Sequence, residues 1–362
     1  MHMFELMRRE DFDAARKTKL INERDDGAGL FIYNYSDAAM YTDGAWDNPA
    51  VRQCRGLIAD RRGEVAARPW SKFFNHGQVE AGDLDLSAPV EVTDKLDGSL
   101  GVIYRALNGT AKVSSRGSFE SDQAIHATAR LAEMNVSLLL ETVTPLVEII
   151  YPANRIVVDY GTLDDLVLLG GVVIATGKYL GPAETADAVG WRHSLASVFP
   201  YASLREALAA PDRKGMEGLC VRYLDRDHIV KIKQEDYVRL HRIVTGLSER
   251  TVWQHMIDGQ SLETLLSPLP DELHGWTREV WSRIADEAYD IHSAALVAHD
   301  VITQALPTGW TRGDYAAHAK THRELTPLLF QILDGKAVRP AILRNLKPAG
   351  DTRARAISEA VA

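Results

Sequence analysis

Only two cysteines, Cys54 and Cys220, stand among 362 residues. This excludes a scaffold stapled by disulfides and fits a reducing, cytoplasmic setting. No apolar run approaches the roughly 20 residues that a membrane helix needs. The opening stretch "MHMFELMRREDFDAARKTKL" lacks a long apolar core and a small-residue cleavage site, so no signal peptide is expected. Positive charge is in deficit as well. Against 50 Asp and Glu there are 41 Lys and Arg, a net charge of -9, which argues against a simple basic coat for nucleic acid. A nucleic-acid enzyme stays open, because a local cluster matters more than the sum. One such cluster runs through Lys320, Arg323, Lys336, Arg339, Arg344, Lys347, Arg353 and Arg355, among only Glu324, Asp334 and Asp351. Internal repeats and low-complexity linkers are missing too.

What is present suits a soluble, well-cored protein: 46% hydrophobic and 25% charged residues, in a chain long enough for two or three domains. Short β-like runs dominate the first two thirds. They are "LFIYNY" at 30–35, "RGLIAD" at 55–60, "VEVTDK" at 90–95, "LGVIYRA" at 100–106, "AKVSS" at 111–115, "LVEII" at 146–150, "RIVVDY" at 155–160, "DLVLLGGVVI" at 165–174, "GLCVRYL" at 218–224 and "HIVKIK" at 228–233. "LNGT" at 107–110 marks a hairpin. One helix should start at a cap on Asp122, with Ile125, Ala129 and Ala132 on its inner face. Another is expected over 184–196 or 202–209. After residue 243 the strands stop. Leu273, Trp276, Val280, Ile284, Ala288, Ile291 and Ala295 form the stripe of a long amphipathic helix, and "DYAAHAKT", "PLLFQIL" and "PAILRNL" read as further helices. The expected fold class is therefore α+β, with a domain of antiparallel sheets and flanking helices over 1–243 and an all-helical domain over 244–362.

The stretch "KLDGS", Lys95 to Ser99, interrupts two apolar strand segments. Gly98 permits a tight turn and close approach of a ligand. Lys95 is then held at a fixed point by the strand pair, and it becomes a nucleophile if burial and nearby positive charge lower its pKa. Lys231 and Lys233 alternate in "VKIK" and so share one face, where an anion such as a triphosphate would suit them. Glu148 and Glu217 lie in strand-like segments. Two carboxylates with a lysine pair fit metal-assisted phosphoryl chemistry. Taken singly, each has a plainer reading. Arg55 is a turn arginine, Lys72 lies along "FF" as a snorkelling surface residue, and Tyr33, alternating with Tyr35, is a core residue. His318 and His322 have a zinc-compatible spacing but no third ligand, and the tryptophans default to core packing.

In this order, "KLDGS", the Glu of "VEIIYPANRIV", "EGLCVRY" and "VKIK" resemble the motifs of the nucleotidyltransferases that include polynucleotide ligases and capping enzymes. With "YNYSD" at 33–37, "CRGLIAD" at 54–60, "ARPWSKFFNHGQ" at 67–78, "SSRGSFESDQA" at 114–124 and "KIKQEDYVRLH" ending at His241, the chain from about 30 to 260 resembles the ATP-dependent RNA ligase family of the bacteriophage tRNA-repair type. The resemblance implies that Lys95 attacks the α-phosphate of ATP, forms lysyl-AMP and releases pyrophosphate. The AMP then passes to an RNA 5′-phosphate, and a 3′-hydroxyl displaces it. It implies that Asp97 and Glu217 help hold Mg²⁺ or Mn²⁺ through water, that Glu148 holds the ribose and that Lys231 and Lys233 contact the phosphates. Tyr33, Arg55 and Lys72 would engage the distal phosphates or the RNA end, with Gly98, Arg116 and Tyr237 as further nucleotide-site residues. Arg116 stands where the family more often has lysine. RNA with 5′-phosphate and 3′-hydroxyl ends, broken tRNA among them, is the implied partner, along with an end-healing kinase-phosphatase. Two alternatives stay open: a relative with another acceptor (a DNA ligase or a 5′-adenylating enzyme), and a non-catalytic RNA-end-binding protein.

Overall fold

The computed structural model describes residues 1–350 and 352, apart from 135, 268 and 270, with backbone alone for 239–240, 242–245 and 271–272. The chain divides into two compact units, Met1–Arg239 and Leu240–Ala362.

The strands of the first unit are β1 Ile21–Asp25, β2 Leu30–Tyr35, β3 Arg55–Asp60, β4 Val65–Ala67, β5 Phe74–Asn75, β6 Val90–Lys95, β7 Ser99–Arg105, β8 Ala111–Ser115, β9 Val143–Ile150, β10 Asp165–Val173, β11 Tyr179–Leu180, β12 Val198–Phe199, β13 Gly218–Tyr223 and β14 Ile229–Lys233. They build three sheets, ordered β1-β2-β3-β4, β11-β10-β9-β7-β8 and β12-β6-β13-β14-β5. Pairing is antiparallel except between β14 and β5. Leu30, Ile32 and Ile58 of the first sheet share a core with Val102, Tyr104 and Leu146 of the second. The other face of the second sheet is covered by the helices Asp122–Glu133 and Pro182–Val189, around Ile103, Val147, Ile149 and Leu168. Phe12 and Ala15 of the helix Arg9–Lys17 cover the outer face of the first sheet, and Leu204 of Leu204–Leu208 packs on the third.

Three expectations need correcting. β6 and β7 are not a pair: β6 belongs to the third sheet and β7 to the second, so "KLDG" is the crossover between two sheets. "RIVVDY" forms no strand, because its backbone is used to hold a carboxylate, as described below. The helix Asp122–Glu133 is capped by Ser121, whose side chain accepts from Ala124 N, and it buries Gln123, Ala124, Ala127 and Leu131. Ile125, chosen as inward, is 58% exposed; the buried stripe is one position out of phase.

The second unit is helical, with Glu249–Ile257, Leu262–Leu266, Asp271–Ala305, Arg312–Ala319, Thr326–Leu333 and Arg339–Asn345. The 35-residue helix Asp271–Ala305 turns Val280, Ile284, Ala288 and Ala295 inward, as its periodicity requires. Its end packs Ala298 and Ile302 on Tyr315, Ala319 and Leu329. Lys320, Arg323, Lys336, Arg339, Arg344 and Lys347 are exposed, and Lys336 is spent on Asp334 at 3.5 Å. Arg353 and Arg355 lie outside the described residues. No described helix is long and apolar enough to cross a membrane.

Candidate active site

Lys95 ends β6, and its register partner on β13 is Gly218, which also faces Lys233 of β14. Glu217, just before Gly218, is thereby set between two lysines. Its Oε2 lies 2.5 Å from Lys95 Nζ and its Oε1 2.9 Å from Lys233 Nζ. Position 218 accepts only glycine: φ is +154° and a Cβ would stand 2.0 Å from Ile232 O. A clasp fixes this turn from behind. Arg213 Nη2 donates to Asp94 Oδ1 at 2.8 Å and to Gly218 O at 2.7 Å, and its guanidinium lies 4.6 Å from the Phe199 ring centroid. One arginine thus grips the residue before Lys95 and the residue after Glu217.

Lys95 does not have the depressed pKa expected of it. Burial does oppose its charge, but the facing Glu217, with lesser help from Cys220 and Glu148, outweighs burial and holds the pKa above the ordinary 10.5.

The crossover after Lys95 is tied down atom by atom. Asp97 is buried; its Oδ2 accepts from Val157 N at 2.9 Å and Val158 N at 2.8 Å, and its Oδ1 from Tyr237 OH at 2.6 Å. This carboxylate thus ties "RIVV" and Tyr237 to the crossover, with three of its roughly four lone-pair sites in use. Gly98 N donates to Glu148 Oε1 at 2.9 Å. Glycine at 98 is required by the chain itself, since a Cβ would meet Ile149 O of β9 at 2.5 Å. Glu148 is buried in the central strand β9. Desolvation, with Glu217 adding, pushes its carboxyl up to about 8 despite Lys95. Asn154 Nδ2 donates to Ile149 O at 2.9 Å and so locks "YPAN" to the same strand.

Beyond Lys95 lies a second group of cations: Arg55 at the start of β3, Lys72, Arg116 after β8 and Lys231 on β14. Among the described residues no carboxylate lies within ion-pair distance of any of the four. Aromatic rings hold them instead. Arg55 and Lys231 stand 4.9 and 5.0 Å from the Phe73 centroid. Lys72 Nζ stands 5.1, 5.1 and 5.3 Å from the rings of Tyr35, Trp46 and Phe74. Arg116 Nη1 donates to Tyr35 OH at 3.2 Å. Buried Arg55 Nη1 has no hydrogen-bond partner among the described residues. Burial first, then Lys72, Lys95 and Arg55, push Lys231 well below its ordinary pKa. Burial raises the Tyr35 hydroxyl, yet Arg116, Lys72 and Arg55 together bring it below 10.0.

Tyr33 is not part of this group. It packs edge-on against Phe12 at 5.3 Å in the outer core, and burial with Glu23 pushes its hydroxyl up to about 12. Its neighbour in "YNY", Tyr35, reaches the cations in its place. The alternation put both tyrosines on one face; only the packing shows which hydroxyl meets arginine. Arg213 carried no local signal in "PDRKG". Tyr237 and Lys233, 5.1 Å from ring centroid to ammonium, close the carboxylate end. Among the described residues no group of three His, Cys, Asp or Glu could hold a metal ion unaided.

A lysine locked to a carboxylate thus stands next to four cations that, among the described residues, have no carboxylate within ion-pair distance. A family model described as RNA ligase matches residues 53–238, just over half of the chain, and the chain belongs to this family. It is 30% identical over 187 residues to RNA ligase 1 of Bacteriophage TS2126, covering 46% of this chain and 45% of that protein. A Thermovibrio ammonificans protein with a provisional RNA ligase name is 23% identical over 223 residues, 56% of each chain. The chain thus spans about half the length of the curated relatives it matches. Naegleria gruberi RNA ligase solved with PPi is 22% identical, with 43% of this chain and 52% of that one covered and a TM-score of 0.35.

Proposed function

We propose that this chain is an ATP-dependent RNA ligase, joining RNA 5′-phosphate and 3′-hydroxyl ends through lysyl-AMP and an RNA-adenylate, in the repair of broken RNA such as tRNA. The observation that carries this reading is the juxtaposition of Lys95 and Glu217 with four cations that have no carboxylate partner among the described residues. Arg55, Lys72, Arg116 and Lys231 supply the counter-charge for the triphosphate and the developing charge on pyrophosphate. Lys95 Nζ attacks the α-phosphorus; an N–P bond forms, the bond to the bridging oxygen breaks, and pyrophosphate leaves. An RNA 5′-phosphate oxygen then takes the AMP from Lys95. A 3′-hydroxyl displaces AMP and closes the strand.

Lys95 attacks only as a free amine, and Glu217 keeps it protonated. Nucleotide binding therefore has to draw Glu217 away, after which burial and Lys231 favour the neutral amine. Glu217, with Asp97 through water, would help hold a divalent cation, whose other ligands would be phosphate oxygens and water. Such an ion supplies charge neutralisation at the transferred phosphate. Glu148, protonated near neutral pH, can donate to a ribose hydroxyl.

The test uses α-labelled ATP with Mg²⁺ or Mn²⁺ and a denaturing gel, with Lys95→Ala alongside. Label on the wild type and none on the folded variant supports the reading; an unlabelled, AMP-free wild type sinks it. Supplying nicked RNA and nicked DNA to the labelled protein then identifies the acceptor.

A further inference from the structure

Trp46 lies in the short 3₁₀ helix Ala45–Asp47, outside the 53–238 segment that the family model covers. Core packing is the default for a tryptophan, and Trp46 does touch two cores, those around the first and third sheets. Its ring has a second task. It stands edge-on to Tyr35 at 5.1 Å and to Phe74 at 5.5 Å, and the Lys72 ammonium sits within 5.3 Å of all three centroids. The backbone repeats the connection: Arg52 Nε donates to Trp46 O, and Lys72 N donates to Arg52 O at 2.8 Å. Arg52 thus ties the segment carrying Trp46 to the segment carrying Lys72.

A lysine could be fixed more simply by a carboxylate, but a carboxylate would neutralise it. Rings hold the ammonium through their negative faces and leave its full charge for an anion. In the third sheet the order β6-β13-β14-β5 sets Lys231, on β14, between Lys95 at the end of β6 and the edge strand β5, which Lys72 precedes by two residues. A cation beyond the one next to the α-phosphate faces the outer phosphates.

Resting on the ligase reading above, we infer that Trp46 is a positioning residue for the triphosphate, closing a three-ring cage with Tyr35 and Phe74 that aims Lys72 at the β- and γ-phosphates. Its effect is confined to the step that consumes ATP. Sealing of RNA that already carries a 5′-adenylate needs no triphosphate and does not depend on it.

The experiment compares those two steps in wild type, Trp46→Phe and Trp46→Ala: the ATP dependence of single-turnover self-adenylylation, and the sealing of chemically pre-adenylated RNA without ATP. Trp46→Ala is expected to raise the half-saturating ATP concentration by roughly 3- to 30-fold, the range spanned by exposed to desolvated cation–π contacts. Trp46→Phe, which keeps a ring, should recover most of that loss, and sealing should stay within about twofold of wild type. An equal loss in both steps would reduce Trp46 to a packing residue, and unchanged ATP dependence in Trp46→Ala would remove the cage. A wild type that takes no label overturns the ligase reading itself, which distinguishes that failure from failure of the cage.

Discussion

The two ends of the site hold like charges in opposite ways. At one end Lys95 and Lys233 share Glu217, at 2.5 and 2.9 Å. Their charge is spent within the protein, and the geometry is locked before any ligand arrives. At the other end Arg55, Lys72, Arg116 and Lys231 lean on Phe73, Phe74, Tyr35 and Trp46, and their mutual repulsion is left in place. A buried charge without a partner costs stability. A site keeps such charges when a ligand, not the fold, is to complete them. On the proposed reading the first end serves the chemistry and the second the binding of the triphosphate.

Removing the shared carboxylate should have the largest effect. Glu217→Gln removes the carboxylate proposed to hold the divalent cation, so adenylylation is lost, and it deprives two lysines of their ion-pair partner, so stability falls by about 3 kcal/mol, as when one partner of a buried ion pair is deleted. Urea unfolding checks this; an unchanged midpoint would mean the pair contributes nothing. The opposite end should respond with the opposite sign. Lys231→Met lowers adenylylation roughly 100-fold, yet it raises the Tm of the nucleotide-free protein by roughly 2–4 °C, the shift of about 1 kcal/mol in a domain of this size. A fall in Tm would show that this charge is compensated, and the contrast between the ends would collapse.

Smaller effects sharpen the picture. Arg213→Ala leaves buried Asp94 uncompensated and frees the Glu217 turn, slowing self-adenylylation about tenfold. Adding Asp94→Asn should restore the stability but not the rate; recovery of both would make Arg213 a mere counter-ion. A pH-dependent effect is expected at Glu148, whose carboxyl is pushed up to about 8 from 4.5 by burial. Between those pH values the folded chain keeps a proton that the unfolded chain releases, so this group's contribution to stability falls as pH rises through the window. Glu148→Gln should flatten that slope, measured as wild type minus variant in urea across the window, and a slope left intact would return the carboxyl to its ordinary range.

Much of this arrangement is legible in the residues. The alternation in "VKIK", the "KLDGS" interruption and the placement of "EG" before a strand mark Lys95, Glu217, Lys231 and Lys233 as special, because two lysines on an apolar strand face need an anion. The helical unit follows from the long stripe beginning at Leu273. Other features escaped. Ile125 reads as inward because Ala is neutral in periodicity, so the buried stripe through Ala124 and Ala127 is no stronger in the pattern than its neighbour. Tyr33 and Tyr35 have the same local pattern. Arg213 and Trp46 belong to loops, where nothing periodic reports what a side chain meets.

By itself, then, the sequence determined the strand-rich first part, the helical second part and the residue types of a nucleotide-handling site, since each follows from local periodicity and from charges that are costly to bury without purpose. The tertiary structure alone decided that β6 and β7 lie in different sheets, that Asp97 accepts from Val157, Val158 and Tyr237, that Lys95 is held protonated by Glu217, and that Tyr35 and Trp46 attend Lys72. All of these depend on contacts between residues far apart in the chain, and electrostatic energy depends on distance in space rather than in sequence.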